Sequence, residues 1–324
     1  MNSGVYHYAF APLVNVHVPD EVLDYGSFRI QNVRGEALRN IARVMDDTSP
    51  DVRDTSPNDL ERADEAAFIV KPLQIQMDTE PLDDDLSTVK FTPTAHDAFR
   101  KERVCFNLLC HKPVFTPVVL CADDFPTVRS VHWFWNSDTR DWWFAPNQGQ
   151  TLYASQAELV QRLIASQCGE FLDGRRWLTM ALSEYESGCE FQRKPNDCLR
   201  DYFSALEALY TVEQSGMSQN LATRVAMVLA RSDAEYGELL AGIKQLYHVC
   251  SSKRHGSQAS DLQAEDMTEL RTYARRGILM AIELSRPAKG PCDWQTICKR
   301  LLNPRDTKLL LELKDIRGGL EAIW

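Results

Sequence analysis

No run of apolar residues in the chain approaches the ~18–20 that a membrane-crossing helix needs. The first residues, Met1-Asn2-Ser3-Gly4, show no basic stretch followed by an apolar one, so no secretory leader is expected. There is no CxxC pair, and the 9 cysteines are odd in number and scattered. This excludes a disulfide framework and fits reduced thiols in a cytoplasmic protein. The sequence also lacks a P-loop, a dinucleotide-binding glycine motif, HExxH and GxSxG. The common signatures of nucleotide hydrolysis, zinc proteolysis and serine hydrolysis are therefore missing.

Positive charge is scarce as well. The net charge is −10, and residues 1–150 hold 14 Lys+Arg against 23 Asp+Glu. Residues 151–324 are close to neutral, with 22 and 23. A bulk electrostatic pull on nucleic acid is absent, so any RNA contact must come from a local basic patch in the C-terminal half. The nearest approach to a metal-ligand set is Cys105, Cys110, His111 and Cys121. Their spacing matches no standard zinc pattern, and thiols buried as small hydrophobes are the simpler reading. Neither a metal nor a cofactor is expected. An unrelated enzyme centred on His96, His111 and His132 finds no support in their spacing.

What is present describes an ordinary globular chain of 324 residues, 44% hydrophobic and 25% charged, with length for about two domains. Residues 1–150 read as β-rich. Segments 5–18, 28–33, 67–77, 114–121 and 128–135 are rich in β-branched and aromatic residues, with Pro, Gly and Asp between them. Residues 36–45 read as a short helix, and 46–65 as a mobile acidic loop rich in Asp, Ser and Pro. Asp83-Asp84-Asp85 continues that solvated character. His132-Trp133-Phe134-Trp135 and Trp142-Trp143-Phe144 flank a polar turn and suggest an aromatic hairpin. Its rings would either fill the core and a domain interface or offer bases a stacking platform.

From residue 151 the chain reads as helical. Ser155-Gln156-Ala157-Glu158 resembles a capping box opening a short helix. A second helix is expected over 174–187, and a third after Pro195-Asn196 with Asp197 as its N-cap. In that third helix Leu199, Tyr202, Phe203, Leu206, Leu209 and Tyr210 share one face. Further helices are expected over 218–231, 233–251 and 260–285, the last ended by Pro287. The expected organisation is α+β: a β-rich domain over 1–150, a helical bundle over 151–290 and a helical tail over 291–324.

Three stretches, in order, carry a resemblance. They are Asp201-Tyr202-Phe203-Ser204-Ala205-Leu206-Glu207-Ala208-Leu209-Tyr210, then Leu221-Ala222-Thr223-Arg224-Val225-Ala226, then Leu246-Tyr247 running into Lys253-Arg254-His255-Gly256. Together they resemble the Apea-like branch of the HEPN superfamily, small helical bundles found in prokaryotic ribonucleases and defence toxins. The resemblance spans about residues 174–287 and implies a metal-independent endoribonuclease of a bacterial defence or toxin system. Two bundles would pair as a homodimer around one cleft. The N-terminal domain would then sense a protein or phage trigger.

Cleavage of this kind has the ribose 2′-OH attack the adjacent phosphate and leaves a 2′,3′-cyclic phosphate. It needs proton transfer, which a histidine near its ordinary pKa of ~6.5 can serve. It also needs positive charge on the developing phosphorane, which an arginine fork supplies. The resemblance implies His255 as the acid/base group and Glu207 as a neighbour that shapes the site. At the position of the family's arginine, five residues before the histidine, this chain has Cys250.

Three explanations stay open. Arg254 or Lys253 supplies the charge, or the bundle is a non-catalytic relative that binds RNA or protein, or this copy has lost its arginine. A histidine followed by Gly256 is also an ordinary helix ending, in which the glycine caps and the histidine favours the dipole. Arg271 and Arg275, an i, i+4 pair with Arg276 beside it, would form a phosphate-binding wall with Lys253 and Arg254. Otherwise they are the solvated face of an amphipathic helix.

Overall fold

The computed structural model describes residues 5–13, 16–48, 63–76, 99–114, 118–122, 124–128, 132–135, 150–190, 194–213, 217–254, 264–286 and 293–323. The architecture is α+β. The chain divides into two compact units, Met1–Phe106 with Lys112–Ile164, and Asn107–His111 with Ala165–Trp324. The division thus falls near 164 rather than 150, and a short insertion at 107–111 belongs with the helices. Among the described residues no helix is long and apolar enough to cross a membrane.

The first unit is built on an antiparallel sheet of six strands: β1 (Val5–Pro12), β3 (Val22–Asp24), β4 (Arg29–Arg34), β5 (Glu65–Gln76), β6 (Val118–Ala122) and β7 (His132–Trp135). Their order is β3-β4-β5-β1-β6-β7. A parallel pair, β2 (Val16–His17) with β8 (Gln150–Thr151), lies apart from it. Ala66, Ala67, Phe68, Ile69 and Val70 of β5 are all buried. Residues of a strand alternate between faces, so both faces of the sheet are covered here. Phe10, Phe68 and Phe125 cluster, with ring centroids 4.7 to 6.1 Å apart. Tyr25 and Phe28 stack at 4.9 Å and meet Phe106.

Two helices carry the cover. The first, α1 (Gly35–Thr48), falls where a shorter helix is expected. The second, α2 (Arg100–Leu109), has no counterpart in the sequence reading. It brings Val104, Cys105 and Phe106 into the interior of this unit, while its end, Asn107–Leu109, belongs to the second unit. Its Glu102 is buried and meets Lys71 Nζ at 2.9 Å. A third helix, α3 (Ala157–Ala165), is opened by a 3-10 turn over Ala154–Gln156. The Gln156 side chain accepts from the Tyr153 amide at 3.0 Å, so the cap sits at Tyr153 rather than at Ser155. Residues 49–62, the acidic 83–85 and the second aromatic strand at 142–144 lie outside the described residues.

The second unit holds the rest of the helices: α4 (Gly169–Leu172), α5 (Arg176–Gly188), α6 (Pro195–Tyr210), α7 (Met217–Leu229), α8 (Asp233–Arg254), α9 (Ala264–Ser285), α10 (Trp294–Arg300) and α11 (Thr307–Gly319). Pro195 opens α6 at its first position, where a missing amide costs nothing, and Lys194 rather than Asp197 is the N-cap. Central to the bundle is α9, which touches α5, α6, α7, α8 and α11. The contact of α5 with α6 is close enough that a Cβ on Gly188 would lie 2.5 Å from the Tyr202 ring. The expected separate tail is part of this unit. Trp294 stacks on Trp177 with centroids 4.2 Å apart, and its indole donates to the Leu209 carbonyl.

Among the described residues of the unit, four arginines are buried: Arg175, Arg224, Arg271 and Arg275. All four donate to carbonyls at helix C-terminal ends, where the last turn leaves acceptors without intrahelical partners. Arg175 reaches Ser285 O, the end of α9, at 3.3 Å. Arg224 reaches Tyr210 O, the end of α6, at 2.7 Å and Cys298 O of α10 at 2.8 Å. Arg271 and Arg275 close the end of α2.

Candidate functional site

The region singled out by sequence is the end of α8 and its meeting with α6. Leu239, Ile243, Leu246 and Cys250 are all buried and step along one face of α8. Tyr247 meets Phe203 of α6 edge to face, with centroids 5.3 Å apart. One turn beyond Phe203 on α6 is Glu207, half-buried. One turn beyond Tyr247 on α8 is Cys250, 9% exposed. The two helices that carry Glu207 and Cys250 therefore touch just before both residues. Lys253 and Arg254 form the last residues of α8, so the helix runs further than 251. His255 and Gly256 lie outside the described residues.

Burial of Cys250 fits its chemistry, since a thiol is a small apolar group on the core face. A guanidinium at the same place would have to extend along the helix to reach water. Nothing cationic stands at position 250 to face a phosphate.

The other half of the expected basic wall is arranged differently. Arg271 and Arg275 are neither a phosphate-binding wall nor a solvated face. They are 5% and 0% exposed. Arg271 donates to His111 O, and to Asn107 O and Cys110 O at 3.2 Å each. Arg275 donates to Leu108 O at 3.2 Å, Leu109 O at 3.3 Å and Ile323 O at 2.9 Å. The physical reason is the open C-terminal turn of α2, which presents carbonyls and the negative end of a helix dipole. Tyr185 supports the same segment by donating to Asn107 O at 2.8 Å.

A second Arg275 nitrogen, Nη2, lies 3.3 Å from His111 Nδ1. Since guanidinium has no acceptor, this contact requires Nδ1 to be unprotonated. The His111 imidazole is accordingly held below its ordinary pKa, first by desolvation and then by Arg275, Arg276 and Arg271. Beside it, burial pushes the Cys110 thiol up to about 12 despite both arginines, so no thiolate forms there. Cys121, also buried, is pushed up to about 12. These thiols belong to the interior. Among the described residues no three His, Cys, Asp or Glu gather where a metal would bind.

The sequence carries a signal for the buried arginines in the spacing of α9. Residues 271, 275, 278, 282 and 285 follow the i, i+4, i+7 rhythm of a buried helix stripe, and all five are buried. Arg271 and Arg275 occupy core positions of that stripe, as Arg224 does with Leu221 and Val228 on α7. Comparison of the chain with protein-family models, with curated proteins and with solved structures finds no match.

Proposed function

We propose that the helical unit is a HEPN-type RNA-directed module with an attenuated active site at the end of α8. In this reading His255 transfers protons, and Glu207 shapes the site from α6. Lys253 and Arg254 hold the phosphate, and Cys250 stands where a charged fork would stabilise the transition state. The activity is metal-independent cleavage of RNA, slow for want of that fork, within a bacterial defence or toxin system. Two copies pair through their bundles, and the β-rich unit receives a protein or phage trigger. The single observation that supports this is the Phe203–Tyr247 contact, which joins α6 and α8 at the turn preceding Glu207 and Cys250.

The test is RNA cleavage by the full chain in excess EDTA. Cleavage that persists, yields 2′,3′-cyclic phosphate ends and spares DNA agrees with the reading. Activity lost to EDTA and restored by magnesium rejects it.

One observation favours a second reading. Cys250 is packed into the bundle core, where its thiol serves helix packing. On that reading the bundle dimerises and binds a partner without chemistry. Sedimentation showing a dimer that neither binds nor cuts RNA selects it.

A further inference from the structure

Four tyrosines of the second unit give their hydroxyls to protein acceptors. Tyr185 donates to Asn107 O, Tyr202 to Gly188 O, Tyr210 to Gly277 O and Tyr273 to Glu269 Oε1. Tyr247 of α8 does not. Among the described residues its hydroxyl meets no acceptor, and it is not sealed from water. Tyr236 is open in the same way, but it lies about three turns earlier on α8.

The Tyr247 ring is nevertheless held. It is half-buried and stands edge to face against Phe203, at 5.3 Å and 68°. Phe203 is itself buried, so the ring rests against packed core. Ordering a ring already fixed in this way costs little entropy when a substrate binds. Tyr247 is three residues before Cys250 on the same helix. Side chains so spaced are neighbours, with ~5–6 Å between Cβ atoms. The open hydroxyl therefore stands one turn from the position where the resemblance places an arginine.

We infer that Tyr247 is a catalytic residue of the proposed ribonuclease site, its hydroxyl donating to a non-bridging oxygen of the scissile phosphate. This rests on the reading of α6 and α8 as that site. In the cleavage step the 2′-oxygen bonds to phosphorus as the bond to the 5′-oxygen breaks. The 2′-hydroxyl loses its proton and the departing 5′-oxygen gains one, by way of His255. Tyr247 gains and loses no proton, and it adds a hydrogen bond as charge builds on the phosphorane. A phenol donates one such bond where a guanidinium donates a fork. It therefore replaces the arginine in part, and cleavage is slow rather than absent.

The experiment is cleavage of a fluorescent single-stranded oligoribonucleotide by the full chain in EDTA, with kcat and KM measured separately. Tyr247→Phe keeps the ring against Phe203 and removes only the hydroxyl, so the melting temperature should hold. Its kcat should fall about ten- to a hundredfold with KM little changed, the lower side of what one lost donor to a transition state costs. In a Cys250→Arg background the same change should cost less than about threefold, because the guanidinium then holds the phosphate. A residue that only packs would lose nothing on Tyr247→Phe in either background. Equal kcat for Tyr247→Phe and the unmodified chain overturns the inference and leaves the ribonuclease reading standing. Cleavage by Cys250→Arg alone also overturns it, since the unmodified chain then has no substitute donor. Absence of cleavage by both forms removes the inference and the ribonuclease reading together.

Discussion

Arg275 Nη2 stands 3.3 Å from His111 Nδ1 while its other terminal nitrogen holds Leu108 O, Leu109 O and Ile323 O. One side chain thus closes the α2 helix end, pins the last described turn of the chain and fixes a histidine tautomer. Replacing it leaves several buried carbonyls unsatisfied, each costing about 1–3 kcal/mol. Arg275→Met should lower unfolding free energy by roughly 3 kcal/mol or more. Arg275→Lys should recover part of this, because it restores the charge without the fork. Urea unfolding followed by circular dichroism measures both.

The same contact makes stability depend on pH in one direction. His111 binds its proton less readily in the folded protein than in the unfolded chain, whose value is ~6.5. The unfolded state therefore binds more protons, and stability rises with pH. The contribution is complete above ~6.5 and is lost as pH falls through the lower folded value. The ring is largely exposed, so the effect is small. His111→Gln should flatten the fall in melting temperature below about pH 6.5. An unchanged slope assigns the acid sensitivity to other groups.

Packing of α5 on α6 gives a third expectation. A Cβ at Gly188 would sit 2.5 Å from Tyr202 Cε1, and the Tyr202 hydroxyl already donates to Gly188 O at 2.5 Å. The ring cannot swing away without breaking that bond. Gly188→Ala should cost about 1–3 kcal/mol, as overpacked cores do. Gly188→Ala should cost less in a Tyr202→Phe background, because no hydroxyl then holds the ring carbons against Gly188. Thermal melts of the two variants decide this.

The α+β division was legible because its signals are local. β-branched and aromatic residues mark β4 and β5, and the Leu199–Tyr210 face marks α6. Boundaries were less so, since Asp197 and Ser155 have the composition of caps without the position. The helix α2 was missed because its apolar residues cluster in Val104–Leu109 after a charged start, without the long rhythm that marks α6. The burial of Arg271 and Arg275 does not follow from residue type, only from their position on the helix. An arginine is usually solvated, yet both fall on a stripe otherwise made of Ile278, Ile282 and Ser285. Only the tertiary meeting with the α2 carbonyls explains why burial is tolerated. His255 is the opposite case, in which sequence alone carries the reading.

That reading is exposed most directly through Cys250. The residue is buried one turn beyond Tyr247, so Cys250→Arg has two opposed effects. It places a cation five residues before His255 in sequence, and losing such a donor to a transition state costs ~10²–10³ in rate. It also places a guanidinium in a packed position, from which the chain must extend toward the end of α8. If the proposed site is right, Cys250→Arg should raise RNA cleavage by one to several orders of magnitude on that scale, even as the melting temperature falls. Cys250→Met, which keeps an unbranched apolar chain without charge, should leave cleavage at the starting level and separates the charge effect from the packing change. Adding His255→Ala to Cys250→Arg should abolish the gain, because residues that act as a unit are not additive. If the unmodified chain cleaves RNA well and Cys250→Arg only destabilises it, Arg254 or another group carries the charge. If neither form binds or cuts RNA while the bundle still dimerises, the module is an interaction domain and the position has become part of its core.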